Sequence, residues 1–329
     1  MKNILVFSNG EKIGDGIIKL PFIIEIKKRF PSSKLHWITD KGTTVYNNRL
    51  KNIAQQYIDI IYEQSNLKYF FWNKISSKFE FEKMKFDYII DTQKSLIRTL
   101  SIKRIKCNFF ISATAAGFFS DIPINRKYYE NDYYVNGLFY LLNLIKPENK
   151  RYQNTIDYKI PVNLYNQLKN IFDKKYKYIG YALGAGENDK IWDIKKFFEV
   201  IQYFEKKDYK TVLFLGPNDQ GIKELTKKNI QNAIYPEEII KDFSGPEIVM
   251  SSTKFLTAAL SNDSGVSHML STNNCFLIKL FGPKNPDKFT PDLDNIKTIS
   301  SKNYDSLNIN KIPVNKVIQE IEIGIKSRE

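Results

Sequence analysis

The sequence predicts an α/β protein of two doubly wound domains, each a parallel sheet covered by helices, facing a central cleft. Three observations carry this. Short, continuously apolar segments alternate with helical patterns, as strands of a parallel sheet buried on both faces do. The alternation runs through once, passes a polar, lysine-rich stretch from about Pro147 to Tyr176, and begins again. At 329 residues the chain is too long for one ordinary core and suits two domains.

The first half opens with a strand at 4–7 and a loop through Gly10, Gly14, Asp15 and Gly16. The following helix carries Ile17, Leu20 and Ile24, with Phe30 near its end, and Pro31-Ser32 stops it. Further strands are expected at 35–38, 58–61, 88–90 and 107–111. The second half restarts with a strand at 178–183, a helix at about 194–207 bearing Phe197, Val200, Ile201 and Phe204 on one face, and a strand at 211–215. Strands through Ala258-Ala259-Leu260 and at 276–281 follow, and a last helix begins near Pro313. The predicted division is an N-terminal domain at 1–155, a linker and connecting helix at 156–177, and a C-terminal domain at 178–329. The last helix, about 313–326, is available to pack back on the N-terminal domain.

Composition narrows the function classes. A hydrophobic content of 42% is globular, and the longest apolar runs fall far short of the ~20 residues that cross a bilayer. The N-terminus enters a strand without the features of a signal peptide, and two distant cysteines, Cys107 and Cys275, form no C-x-x-C pair. A cytoplasmic, reduced protein is expected. The net charge of +14 fits either an anionic partner or the Lys- and Asn-rich composition of an AT-rich genome. The basic residues are dispersed and not interleaved with aromatics, which argues against a nucleic-acid reader.

Four loops follow strands and can carry chemistry. Asp15, at the start of the first helix, is a candidate general base or a dipole-stabilised helix-start residue. Gly184-Ala185-Gly186 lets a ligand approach the backbone, and Lys190 beyond it is either a point charge for a phosphate or plain surface. Gly216-Pro217-Asn218-Asp219 reads as a turn. Asn262-Asp263-Ser264-Gly265 joins a buried strand to a helix whose N-terminus seats an anion, unless Asp263 and Ser264 only cap it. His268 lies one helical turn past Ser264. Asp292-Leu293-Asp294 sits in a late loop, unlike the metal-holding D-x-D of some sugar transferases. Two histidines and two scattered cysteines draw no zinc cluster.

Four blocks in order resemble glycosyltransferase family 9, the ADP-heptose:lipopolysaccharide heptosyltransferase family. Gly14-Asp15 with Pro21 and Arg29-Phe30-Pro31 resembles the family's N-terminal "GD…P…YP" block. Phe86-Asp87-Tyr88-Ile89-Ile90-Asp91-Thr92-Gln93 resembles its "FDLVIDLQ" strand. Gly184-Ala185 with Lys190-Ile191-Trp192 resembles "GA…K.W", and Asn262-Asp263-Ser264-Gly265 with His268 and Phe281-Gly282-Pro283 resembles "NDSGxxH…LFGP". The resemblance implies a GT-B fold of two Rossmann-like domains and an inverting, metal-independent transfer with no cofactor. It makes Asp15 the general base, with Lys12, Gly14 and Gly16 in the acceptor-side loop. Gly184, Ala185, Lys190, Asn262, Asp263, Ser264, Gly265 and His268 then bind the donor, an ADP-sugar. The implied acceptor is a lipopolysaccharide core or another glycan, with peripheral contact at the cytoplasmic face of the inner membrane. The alternatives are a non-catalytic nucleotide-sugar-binding protein and a member with a different acceptor. Glu11 and Lys12 stand where the family often carries a basic residue before Gly-Asp, Met269-Leu270-Ser271 replaces Leu-Ala-Ala, and Asn285 replaces an Asp or Thr.

Overall fold

A computed structural model describes residues 1–67, 79–125, 133–148, 156, 158–273 and 275–328, without the side chains of 288 and 289. The connecting stretch expected from Pro147, and with it the boundary expected at 155, lies partly outside the described residues, at 149–155 and 157. The chain divides into two compact units, Met1–Gln153 and Asn154–Glu329.

Unit 1 is built on strands β1 (Asn3–Ser8), β2 (Lys34–Thr39), β3 (Ile60–Tyr62), β4 (Phe86–Asp91) and β5 (Cys107–Ser112). They pair in the order β3-β2-β1-β4-β5, all parallel. Ile4, Leu5, Val6 and Phe7 are all inaccessible to solvent, because the central strand is covered on both faces. Its helices include α1 (Ile13–Arg29), α2 (Leu96–Ile102) and α3 (Tyr134–Ile145). Helix α1 starts four residues before Ile17, so Asp15 lies inside its first turn. At the other end Arg29 donates to Asn143 Oδ1 at 2.8 Å and to the Lys146 carbonyl at 2.6 Å, which fixes α1 against α3.

Unit 2 repeats the plan with β6 (Tyr178–Ala182), β7 (Lys210–Leu213), β8 (Ala258–Asn262), β9 (Phe276–Phe281) and β10 (Ile296–Ser300), parallel in the order β10-β9-β8-β6-β7. The edge strand β10 is absent from the sequence reading. Its Ile296-Lys297-Thr298-Ile299 lacks the continuous apolar run by which the inner strands are found. Around the sheet lie α4 (Val162–Ile171), α5 (Ile194–Glu205), α6 (Gln220–Asn229), α7 (Gly245–Ser252), α8 (Gly265–Leu270) and α9 (Val314–Lys326). The last helix buries Val317, Ile321 and Ile325 in the core of unit 2, with Phe197, Val200 and Phe204 of α5. It approaches β9 so closely that a Cβ at Gly324 would lie 1.9 Å from the Phe276 ring.

Each sheet has one point where the strand order reverses, and open α/β sheets bind ligands at the carboxyl ends of the strands there. In unit 1 that point lies between β1 and β4, in unit 2 between β6 and β8.

Candidate active site

The switch point of unit 2 gathers two of the predicted loops. Asn262, at the end of β8 and fully buried, uses both ends of its carboxamide on the neighbouring loop. Its Nδ2 donates to the Leu183 carbonyl at 2.7 Å, and its Oδ1 accepts from the Trp192 amide at 3.1 Å. Trp192 is itself inaccessible and donates through Nε1 to the Ile312 carbonyl at 3.2 Å. The segment between Leu183 and Trp192 is thereby held at both ends, and Lys190 lies two residues before the second. The Lys190 ammonium lies 3.3 Å from Glu187 and 3.9 Å from Asp263, so the two predicted blocks meet as a charge pair. The side chain is largely covered, which sets it apart from a plain surface lysine.

Asp263 is buried, and its amide donates to the Leu280 carbonyl at 3.0 Å. Ser264 caps α8: its Oγ accepts from the Ser267 amide at 3.4 Å, and its own amide donates to Ser267 Oγ at 3.3 Å. The capping role is therefore real, and it leaves the Gly265 end of the helix as the first turn. His268 is buried one turn on. Burial holds its imidazole well below the usual range, and the nearby Lys279 charge adds to this, so the ring is neutral at pH 7.

The glycines differ in purpose. A Cβ at Gly186 would meet nothing, which leaves open space beside the loop, whereas one at Gly184 would lie 2.3 Å from both carboxylate oxygens of Asp219. The turn after β7 is thus part of the same crevice, although in sequence it reads only as a turn. Asp219 Oδ2 accepts from the Gly216 amide at 2.7 Å. Close to it, burial raises the Glu237 carboxyl to about 7. Lys279 is the second group missed by sequence reasoning. It is fully buried in β9, which lowers its ammonium to about 8 against the opposing pull of Asp263. The signal was present as a single charge inside Phe276-Leu277-Ile278-Lys279-Leu280-Phe281. Glu237 has no local signal at all; only the chain's return past β7 places it there.

The switch point of unit 1 carries the loop from β1 into α1. Asp15 is exposed in the first turn of α1, Lys12 is exposed at its N-cap, and Gly14 is half-buried between them. Gly16 is glycine for packing: a Cβ there would lie 2.3 Å from Val45. Its carbonyl accepts from the buried Tyr46 hydroxyl at 2.7 Å. Beside these, Asp91 ends β4, fully buried, and accepts from Thr99 Oγ1 at 2.6 Å, Ser112 Oγ at 2.8 Å and the Gln93 amide at 2.8 Å. Burial outweighs those three donors and raises its carboxyl to about 6. Arg98 joins the loops by donating to Asn9 Oδ1 and, at 2.8 Å, to Asp40. The D-x-D string, with Asp292 and Asp294 exposed, precedes β10 and so lies at the amino ends of the unit 2 strands, away from the crevice of that unit.

Solved structures share the fold. The chain is similar to a family 9 glycosyl transferase from Veillonella parvula, at 18% identity with 99% of this chain and 97% of that one covered and a TM-score of 0.75. It is similar to the E. coli heptosyltransferase WaaC with ADP, at 15% identity, 98% and 99% coverage and a TM-score of 0.70. It is similar to the E. coli ADP-heptose lps heptosyltransferase II, at 13% identity, 100% and 99% coverage and a TM-score of 0.68. At these identities the likeness establishes the fold, which is the GT-B arrangement expected from the sequence. No curated protein matches the chain in sequence. The family model described as glycosyltransferase family 9 (heptosyltransferase) matches residues 80–317. That span takes in β4 and every residue of the unit 2 crevice named above, and the chain therefore belongs to glycosyltransferase family 9.

Proposed function

We propose that the protein is an inverting, metal-independent transferase. It moves a heptose or related sugar from a nucleotide-diphosphate donor to a lipopolysaccharide-type glycan. Unit 2 binds the donor, and ADP-heptose is the reading that its structural neighbours favour, one bound to ADP and one named for ADP-heptose. The observation that carries the proposal is the joining of Lys190 to Asp263 at the β6/β8 switch point, inside the family domain. A diphosphate there displaces the weak 3.9 Å contact and takes the Lys190 charge for itself. As the bond from the anomeric carbon to the phosphate oxygen breaks, Lys190 and the amides opening α8 stabilise the charge that develops on the leaving ADP. Asp15, from unit 1, takes the proton of the attacking acceptor hydroxyl. Attack on the face opposite the leaving group inverts the anomeric configuration.

Asn262 acts on this site through the backbone it fixes. His268, neutral at pH 7, is a hydrogen-bonding group toward the nucleotide. Among the described residues no helix is long and apolar enough to cross a membrane. For a lipid-linked acceptor this reading puts the transfer at the cytoplasmic face of the inner membrane, by peripheral contact.

The test is a thermal-shift panel with ADP, GDP, UDP and CMP, followed by transfer assays with the sugar of the stabilising nucleotide. ADP is expected to raise the melting temperature and the others to leave it unchanged. NMR of the product in the presence of EDTA then reads the anomeric outcome. A retained configuration, or loss of turnover on chelation, would overturn the corresponding half of the proposal.

A further inference from the structure

Most large apolar side chains left exposed among the described residues are scattered, but four gather on unit 1. Helix α2 exposes Leu96, Ile97 and Leu100 at 49%, 55% and 39%, and the turn after β5 exposes Phe118 at 81%. Positions i, i+1 and i+4 share one side of a helix. The other side is spent on the fold. Thr99 and Ile102 are buried, and Arg98 donates to Asn9 and Asp40 in the loops after β1 and β2. Helix α2 thus rests on the loops at the carboxyl ends of the unit 1 strands, the rim that carries Asp15, with its apolar side in solvent.

Phe118 is held out by the backbone. Ala115, Ala116 and Gly117 have φ of 51°, 55° and 83°, a left-handed run that alanine adopts only at a cost. The neighbouring Phe119 packs onto the core that holds Ile102 and Ile105, while Phe118 faces water. The turn and the helix are joined. Thr99 Oγ1 and Thr114 Oγ1 lie 2.8 Å apart in a hydrogen bond, and Lys103 donates to the Phe119 carbonyl.

The same segment is one-sided in charge. From Thr92 to Ser120 it carries Lys94, Arg98, Lys103, Arg104 and Lys106 and no acidic residue. The first acid beyond it, Asp121, is paired with Lys103 at 3.4 Å. Apolar side chains set among basic ones suit a surface that is apolar within and negative at its face, and an anionic bilayer is such a surface. A second copy of the chain would meet the same positive charge across a two-fold interface. A protein partner of standard size covers about 20 residues a side, far more than this patch supplies.

We propose that the apolar side of α2, together with Phe118, docks unit 1 on an anionic phospholipid bilayer. The inference rests on the peripheral contact proposed above and names the surface that makes it. Docking there brings the Asp15 rim beside the headgroups, where the sugar of a lipid-linked acceptor lies.

The test is flotation of the full chain with vesicles of phosphatidylcholine alone or with about 30% phosphatidylglycerol, at low and at physiological salt. The wild type should float with the anionic vesicles, and less so as salt rises. Ile97→Ser combined with Phe118→Ser should weaken that binding by about 10-fold or more. Both residues are exposed, so melting temperature and ADP affinity should stay as in the wild type. Leu100→Ser carries the test if the double variant does not fold. Equal binding by the wild type and a folded variant would overturn the proposal and leave the peripheral contact to another surface. Equal binding to neutral and anionic vesicles would overturn it too. A wild type that floats with neither would remove the peripheral contact as well, while ADP affinity, read separately by calorimetry, tests the transfer reading on its own. Self-association without flotation, abolished in the double variant, would assign the patch to a second copy instead.

Discussion

At the switch point of unit 2 the polar groups are spent on one another. The Asn262 carboxamide closes on Leu183 and Trp192, Ser264 caps its own helix, and Lys190 rests against Glu187 and Asp263. At the switch point of unit 1 several are held back: Asp15 is exposed, Glu11 Oε2 has no partner among the described residues, and two phenols offer lone pairs. One scaffold thus holds a closed polar network in unit 2 and unspent acceptors in unit 1, and the proposed transfer gives each a use. A leaving diphosphate needs a prearranged positive seat, because reorganisation during bond cleavage would cost rate. An attacking hydroxyl needs a base and acceptors that are free to receive its proton and orient it.

The contrast can be broken from either side. The largest effect is expected in unit 1, where Asp15→Ala should lower transfer by about 1,000-fold or more while ADP affinity, read by calorimetry, stays unchanged. Retained turnover would remove the base. In unit 2, Asn262→Ala strands the Trp192 amide and the Leu183 carbonyl in a dry interior. Denaturant unfolding should show a loss of about 3 kcal/mol, with weaker ADP binding as a consequence. A stable variant with intact ADP affinity would mean that the loop does not depend on this residue. Lys190→Ala should slow transfer about 100-fold and weaken ADP binding without changing stability. An unchanged dissociation constant would return Lys190 to the surface.

The smallest effect concerns pH. Burial holds the Lys279 ammonium at about 8, below its ordinary 10.5, with Asp263 pulling the other way. Between those values the unfolded chain binds more protons than the folded one, so this group makes stability rise as pH climbs from about 8 to 10.5. Lys279→Met should abolish that rise and stabilise the protein at pH 7 by about 2 kcal/mol in urea titrations at fixed pH. Destabilisation at pH 7 would show that the charge is needed where it lies, beside Asp263.

Legibility in the sequence followed locality. The inner strands were readable because a strand buried on both faces is an unbroken apolar run, as in Ile4-Leu5-Val6-Phe7. The edge strand β10 was not, since one exposed side lets Lys297 interrupt the pattern. Asp15, Lys190 and Asp263 stood out because they lie in loops or at a helix start after strands and inside the blocks that resemble family 9. Whether Lys190 touched Asp263 was not, because 73 residues of chain separate them. Asp219 passed as a turn residue because its packing partner, Gly184, lies on another loop.

By itself, then, the sequence determined two parallel-sheet units, the strand-end loops and the family resemblance. Each of these depends on periodicity or on residues close together in the chain. Tertiary structure alone decided that Asn262 is a staple and Gly16 a packing glycine, that Lys279 is a buried charge, and that Glu11 keeps one oxygen without a partner. These are facts about which groups meet after distant segments have packed, and about which polar atoms water can no longer reach. No local pattern encodes either one.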